Sequence, residues 1–298
     1  MGAKKGLLYK IRRKLQVVAY HLTSAKFVSK IYFRKVVGYK LNLKNPTTLN
    51  EKIQWLKLYV FPKDKKVIQC ADKYAVREYL EKHDCAQYLN DLYFVFDKVE
   101  DVEWDKLPEQ FAMKCTHGCA YNIIVDDRSK LDIERAKKSL KKWMKEDFGA
   151  IYAEPHYSGI KPKIICERFL GGNMVDYKLF CCNGKYKFMY IIERSNGLKA
   201  TFFDENGRKA TYRRMDCAPF DDAKIPTCFE KMKTLSEKLS KDFPFVRVDW
   251  FEVNGQLYFS ELTFTPTGGL IKFDSYETDR MLGNMLDIES LVKDDEKA

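Results

Sequence analysis

The chain is 298 residues long, 45% hydrophobic, with a formal charge of +11. That length holds one large domain or two modest ones with real cores, and no run of about 18 apolar residues exists to span a membrane as a helix. Nine cysteines, an odd number, carry no C-x-x-C pair, and several lie inside apolar runs such as KIICERF. They fit buried thiols in a reducing cytoplasm better than a disulfide framework.

The charge is localised. Eleven of the 53 Lys and Arg fall in residues 1–40, which contain no Asp or Glu, so the rest of the chain carries 42 of each sign. The first residues, MGAKKGLLYKIRRKL, lack the continuous apolar core and cleavage site of a secretory signal. Leu7, Leu8, Ile11, Leu15, Val18 and Leu22 recur at helical spacing with cations between them. A basic amphipathic arm over 1–40 can lie on an anionic membrane surface, each cation contributing up to about 1 kcal/mol. The same pattern also fits a helix docked on its own domain. No nucleic-acid recognition motif accompanies the charge, so no nucleic-acid partner is expected.

Further along, KNPTTLNEKIQWLKLY reads as a turn, a Thr cap and a helix with Ile53, Leu56 and Leu58 inward. ADKYAVREYLEKHD is a second helix, so roughly the first 90 residues are helical. DLYFVFDKV and FAMKC then look like strands, and DIERAKKSLKKWMKEDF like a strongly amphipathic helix. KIICERFL, VDYKLFCCNG, KYKFMYIIERS and KATFFDENG follow as four strand-like runs, two ending in Asn-Gly hairpin signals. A helix at CFEKMKTLSEKLSKDF precedes a final hairpin, VRVDWFEVNGQLYFSELT. Helices followed by mixed strand and helix, with a largely antiparallel second half, give an α+β fold class.

The final hairpin carries carboxylates at Asp249 and Glu261 inside apolar strands, where an unpartnered charge is costly. A two-residue turn at Asn254-Gly255 pairs Asp249 with Ser260 and sends Glu261 to the opposite face. A three-residue loop, Val253-Asn254-Gly255, instead brings Arg247, Asp249, Phe259 and Glu261 to one face. Two converging carboxylates with only oxygen donors suit Mg2+, which takes one or two carboxylates plus substrate phosphates. Alternatively, Arg247 neutralises one acid and the other faces water. Cys115, His117 and Cys119 alternate on one extended segment and cannot easily wrap a zinc tetrahedron.

VRVDW, NGQLYFSELTFTPTGG, LNLKNPTTLNEKIQWLKLY, ADKYAVREYL, FAMKCTHG, ICERFL and DYKLFCCNGK together resemble the ATP-grasp ligases. The likeness is nearest the branch associated with teichuronopeptide-type surface polysaccharide synthesis. It implies an ATP-grasp fold of two α+β lobes with antiparallel sheets behind a helical, basic N-terminal region. The implied divisions are the arm at 1–40, a helical region at 41–110, a first lobe at 111–165 and a second lobe with the metal-binding hairpin at 166–298. It further implies ATP and Mg2+ as cofactors. Asp249 and Glu261 then hold the metal, with Thr263 where most of the superfamily has Asn. Lys114 reaches the nucleotide phosphates, which backbone groups around Gly118 cover. Glu167 lies at the adenine-side hinge, Asp176 near the ribose or metal, and Lys178 over the phosphates. Arg194 clamps the transferring phosphoryl or the substrate carboxylate, while Arg213 and Arg214 read better as surface residues. Lys178, Arg194 and Arg247 are the residues expected to assist the chemistry.

The activity so implied is amide formation through an acyl phosphate, between an amine and a carboxylate-bearing sugar or polysaccharide precursor. The location implied is cytoplasmic, at the inner face of the membrane where the arm engages lipid. A glycosyltransferase of the same pathway is the alternative enzyme, although the chain has no Asp-x-Asp. A non-catalytic scaffold that retains a nucleotide fold is the non-enzymatic alternative.

Overall fold

The computed structural model describes residues 13–171, 174–194 and 197–295. Leu7, Leu8, Ile11 and the cations through Arg12, all part of the expected arm, lie outside the described residues. The arm continues as helix α1 (residues 13–22) and helix α2 (Ala25–Val36), which Ser24 caps by accepting from Phe27 N. Helix α3 (Leu49–Tyr59) starts in a full capping box, Thr48 with Glu51, as TTLNE foretells. Helices α4 (Lys65–Ala71) and α5 (Val76–Lys82) complete the helical region.

A four-stranded sheet follows, built from β1 (Leu92–Phe96), β2 (Phe111–Cys115), β3 (Asn122–Val125) and β4 (Ile164–Arg168) in the order β1-β4-β2-β3. All its pairings are antiparallel. Phe111, Met113, Cys115, Ile164 and Cys166 bury one face with Leu140 of helix α6 (Ile133–Trp143). Strand alternation leaves Ala112, Lys114, Ile165 and Glu167 on the other face. The helix expected over DIERAKKSLKKWMKEDF ends at Trp143, and α7 (Phe148–Tyr152) starts afresh, with Asp147 accepting from Ala150 N as its cap. The strand at NIIV has no counterpart among the expectations.

The six-stranded sheet holds β5 (Asp176–Cys182), β6 (Lys185–Glu193), β7 (Lys199–Phe203), β8 (Ala218–Pro219), β9 (Phe245–Val253) and β10 (Gln256–Thr263). Its order is β10-β9-β5-β6-β7-β8, antiparallel except for the β7–β8 edge. Helix α8 (Phe229–Ser240) packs behind it, where Trp250 Nε1 donates to Ser236 Oγ at 2.9 Å. Helices α9 (Tyr276–Gly283) and α10 (Glu289–Asp295) close the described chain. Asp279 of α9 accepts from Asn50 N and Tyr39 OH, tying it to the start of α3.

The four strand-like runs from KIICERFL onward therefore divide between the two sheets. β4 pairs with β1 and β2, and only the later runs build the larger sheet. β1 and most of β4 lie outside 111–165, the expected extent of the first lobe.

Candidate active site

The β9–β10 turn is a two-residue one. Asn254 and Gly255 both take left-handed φ values, 52° and 76°, and Val253 pairs with Gln256. The three-residue loop is thus not what brings the carboxylates together. A bulge does: Phe259 pairs with Trp250, Ser260 is extra, and Glu261 then pairs with Asp249 and Thr263 with Arg247. Phe259 goes to the opposite face with Trp250, their rings 5.8 Å apart, instead of joining Asp249.

Register carries the row onward. Asp249 is opposite Lys178 on β5, and Lys178 is opposite Tyr190 on β6. One face of four adjacent strands therefore presents Tyr190, Lys178, Asp249 and Glu261 side by side.

Asp249 is 1% exposed, and cations saturate it. Arg247 binds it bidentately, Nε to Oδ1 and Nη2 to Oδ2 at 2.6 Å each, and Lys178 Nζ also contacts Oδ2. Arg247 Nη1 donates to Tyr190 OH at 3.0 Å. Nη2 also donates to Thr263 Oγ1 at 3.1 Å, and that hydroxyl donates to Glu261 Oε1 at 3.1 Å. Thr263 thus links the arginine to the second carboxylate, a relay needing a group that both accepts and donates. Burial works hardest to raise the Glu261 carboxyl, yet Lys73, Lys178 and Arg247 hold it down to about 2. Burial opposes the Arg247 charge as well, but Asp249 and Tyr190 push its pKa above the ordinary arginine value.

Asp176, two residues before Lys178, is buried on the same side and contacts both Arg194 Nη1 and, at 3.9 Å, Lys178 Nζ. Arg194 is half exposed at the end of β6, where burial lowers its pKa. On the small sheet, Lys114 Nζ donates to Glu167 Oε2 at 2.7 Å. Gly118 is required by close packing: a Cβ there would fall 2.7 Å from the Tyr121 ring and 2.8 Å from Phe148. His117 turns inward, its Nε2 3.0 Å from Trp143 O. Among the described residues there is no group of three or more His, Cys, Asp or Glu placed to hold a metal.

Arg213 is exposed, but Arg214 is not a surface residue. It is 6% exposed, forks onto Asp216 with two 2.6 Å bonds and lies over the Tyr190 ring, 5.4 Å from its centroid.

The loop after β10, TPTGG, rests on buried polar groups from the helical region. Gln54 Nε2 donates to Gly268 O and Gly269 O at 2.8 and 2.9 Å, and Lys57 Nζ to Gly268 O at 3.2 Å. Thr265 Oγ1 donates to Glu154. Burial raises the Glu154 carboxyl and lowers the Lys57 ammonium, opposed at Glu154 by the Thr265 hydrogen bond and at both by their mutual attraction.

Asp249, Glu261 and Thr263 offer hard oxygen donors from two adjacent strands, but Arg247 and Lys178 already occupy the Asp249 oxygens, so a divalent ion would bind there only by displacing Lys178. That donor set fits Mg2+ in its two-carboxylate mode.

A family model for TupA-like ATP-grasp proteins matches residues 51–287, which include every residue of this site. The chain belongs to the TupA-like ATP-grasp family. This ATP-grasp chain places one α+β lobe on each sheet. Similar solved structures include D-alanine–D-alanine ligase from Helicobacter pylori, at 17% identity over 82% of this chain and 70% of that one, TM-score 0.49. An L-amino acid ligase from Bacillus licheniformis is 14% identical over 83% and 57%, TM-score 0.44. D-alanine–D-alanine ligase from Bacillus anthracis complexed with ATP is 16% identical over 66% and 54%, TM-score 0.40. The ATP-grasp chain thus spans little more than half the length of the last two. No curated protein matches it significantly.

Two further cations reach the site, both unforeseen: Lys73, 3.8 Å from Glu261, and Arg77, 3.5 Å from Glu167. The available signal was a pair of cations four residues apart in ADKYAVR, Lys73 in the turn before α5 and Arg77 in its first turn.

Proposed function

We propose that this chain is an ATP- and Mg2+-dependent carboxylate–amine ligase, forming an amide through an acyl phosphate. The observation that carries the reading is the row Lys178–Asp249–Glu261, with Arg247 and Thr263 bonded into it on the same face. The substrate class we assign is a carboxylate-bearing sugar or polysaccharide precursor, with an amine as acceptor, in keeping with the family branch. The basic arm would hold the chain against an anionic membrane surface on the cytoplasmic side.

In the first step a substrate carboxylate oxygen attacks the γ-phosphorus of ATP. The bond from that phosphorus to the β–γ bridging oxygen breaks, and ADP leaves with the electron pair. In the second step the amine nitrogen attacks the acyl carbon, the acyl carbon–oxygen bond breaks, phosphate departs and the nitrogen loses a proton. Little covalent work falls to the protein, whose part is positioning and charge stabilisation. Lys114 and Lys178 bind phosphate oxygens, and Arg194 clamps the transferring phosphoryl or the carboxylate. Arg247, held by Asp249, Tyr190 and Thr263, offers fixed donors to charge that develops at the acyl centre. Gly118 and its loop cover the phosphates, Glu167 and Asp176 orient the nucleoside, and Asp249, Glu261 and Thr263 would hold Mg2+. Bound there, Mg2+ would supply charge neutralisation between the terminal phosphates.

Phosphate release from ATP, screened over uronic acids against amines, tests the proposal with Asp249→Asn and Glu261→Gln as controls. Wild-type turnover on at least one pair, lost at least a hundredfold in both variants with melting temperatures retained, is the expected result. Turnover that survives in both variants would overturn it.

A further inference from the structure

Helix α2 and the segment after it build two adjoining cavities that no strand lines. Lys26 and Lys30 are four residues apart on α2, as are Phe27 and Ile31, so the helix carries a cationic strip beside an apolar one. Gly38, at φ 103°, turns the chain after the helix, a backbone conformation that favours glycine. Residues 40–44 then face the same cavities and are held in place. Asn42 N donates to Glu51 Oε1 at 3.0 Å, Asn42 Oδ1 accepts from Lys44 N and Asn45 N at 3.1 and 3.0 Å, and Leu41 is buried.

One cavity, of 610 Å3, is lined by Lys26, Lys30, Lys40 and Lys44 together with Trp55 and Tyr59. The other, of 470 Å3, is lined by Phe27, Ile31 and Leu41, with Arg34 and Lys35 beside them. Lys30, Lys40 and Leu41 belong to both, so the basic cavity and the apolar one meet at two lysines. Each volume falls in the range of about 300–1,000 Å3 usual for small-molecule sites.

No Asp or Glu lines either cavity. Among the described residues none of the six cations has a side-chain ion pair or hydrogen bond; Lys26 instead lies over the Tyr59 ring, 5.5 Å from its centroid. Positive charge left uncompensated in a concave site attracts an anion, and lysine serves phosphate as a point charge. Phe27 and Ile31 are each about half exposed, so the same site also offers apolar surface to cover.

The occupant must therefore bring an anion and an apolar chain together. A soluble sugar phosphate would leave Phe27 and Ile31 in water, and an apolar peptide would leave the lysines unpaired. The chain's own first twelve residues carry Lys4, Lys5, Lys10 and Arg12 and no acid, so like charge repels them from this site.

We propose that the paired cavities bind one phosphate-bearing lipid, with its phosphate between Lys30 and Lys40, its chain along Phe27 and Ile31, and its headgroup against Trp55 and Tyr59. The proposal deepens the membrane reading of the arm, on which it rests for the source of the lipid, by adding a defined site to a general attraction between cations and an anionic surface.

Titration calorimetry with dihexanoyl phosphatidic acid, kept below its micelle concentration, and with glycerol 3-phosphate tests this on the full chain. The variants are Lys30→Gln with Lys40→Gln, Lys30→Arg with Lys40→Arg, and Phe27→Ser with Ile31→Ser. The expected result is saturable binding of one lipid by wild type, at least tenfold tighter than glycerol 3-phosphate. Lipid affinity should fall at least tenfold in the Gln and Ser pairs and stay within threefold in the Arg pair, while the Ser pair leaves glycerol 3-phosphate binding unchanged. No saturable lipid binding by wild type, or lipid affinity within twofold of wild type in the Gln or Ser pair, would overturn the proposal. So would glycerol 3-phosphate bound as tightly as the lipid, which marks a site for the anion alone. Wild type that binds the soluble lipid but does not sediment with phosphatidylglycerol vesicles would support this site and remove the membrane reading instead.

Discussion

Glu261 sits directly opposite Asp249 across β9 and β10 because Ser260 is an extra residue in β10. The Asn254-Gly255 turn alone would put residue 260 opposite Asp249, and the bulge takes up that one-residue offset. Deleting Ser260 should therefore leave a glutamate facing Asp249, now in regular register from the turn onward. We expect MgATP affinity within about threefold of wild type, measured by calorimetry. A loss beyond tenfold in a folded variant would contradict this account of the register.

His156 predicts an acid-sensitive core. It is fully buried, both ring nitrogens lack hydrogen-bond partners, and it lies among Phe61, Tyr157 and Phe264. Burial, with a smaller contribution from Lys57, lowers its pKa from the model-peptide 6.5 to about 3. The unfolded chain takes up this proton as pH falls below 6.5, while the folded chain resists until about 3. Stability from this group is thus present above 6.5 and falls by roughly 1.4 kcal/mol per pH unit down to about 3. Glu154, whose raised pKa acts in the opposite direction, is common to wild type and to His156→Phe. Urea unfolding at pH 7 and pH 5 should show wild type losing about 2 kcal/mol more than His156→Phe. Equal losses would contradict the assignment.

The arm exposes Leu15, Val18, Leu22, Phe27 and Ile31, each at least half open to solvent, among its cations. Arg13 is engaged elsewhere, with Tyr121 and Glu146, so part of α1 is docked on the small lobe. No helix among the described residues is long and apolar enough to cross a membrane. Removing residues 1–35 should abolish co-sedimentation with phosphatidylglycerol vesicles at low salt and spare nucleotide binding. Sedimentation unchanged by the deletion would make the arm structural.

Local pattern made much of this molecule legible. TTLNE marked the start of α3, the Asn-Gly pairs marked hairpins, and charges inside apolar strands marked Arg247, Asp249 and Glu261. What stayed hidden depends on contacts distant in sequence. The pairing of β1 with β4 joins residues some seventy positions apart, so the run at ICER looked like a neighbour of DYKLF. A bulge changes no residue type, and Ser260 carries no signal of it. Arg214 reads as a surface residue until Tyr190 is in place, and no local pattern singled out Lys73 or Arg77. Lys57, a lysine that no local pattern marks as buried, is covered by the TPTGG loop.

The central claim is that Asp249 and Glu261 share a nucleotide-bound divalent ion. Crystals grown with Mn2+ and a non-hydrolysable ATP analogue would locate that ion by its anomalous scattering. We predict one peak about 2.2 Å from an oxygen of each carboxylate and of the terminal phosphates, with Lys178 moved off Asp249. A peak bound by phosphates and water alone, with Lys178 and Arg247 still saturating Asp249, would contradict it.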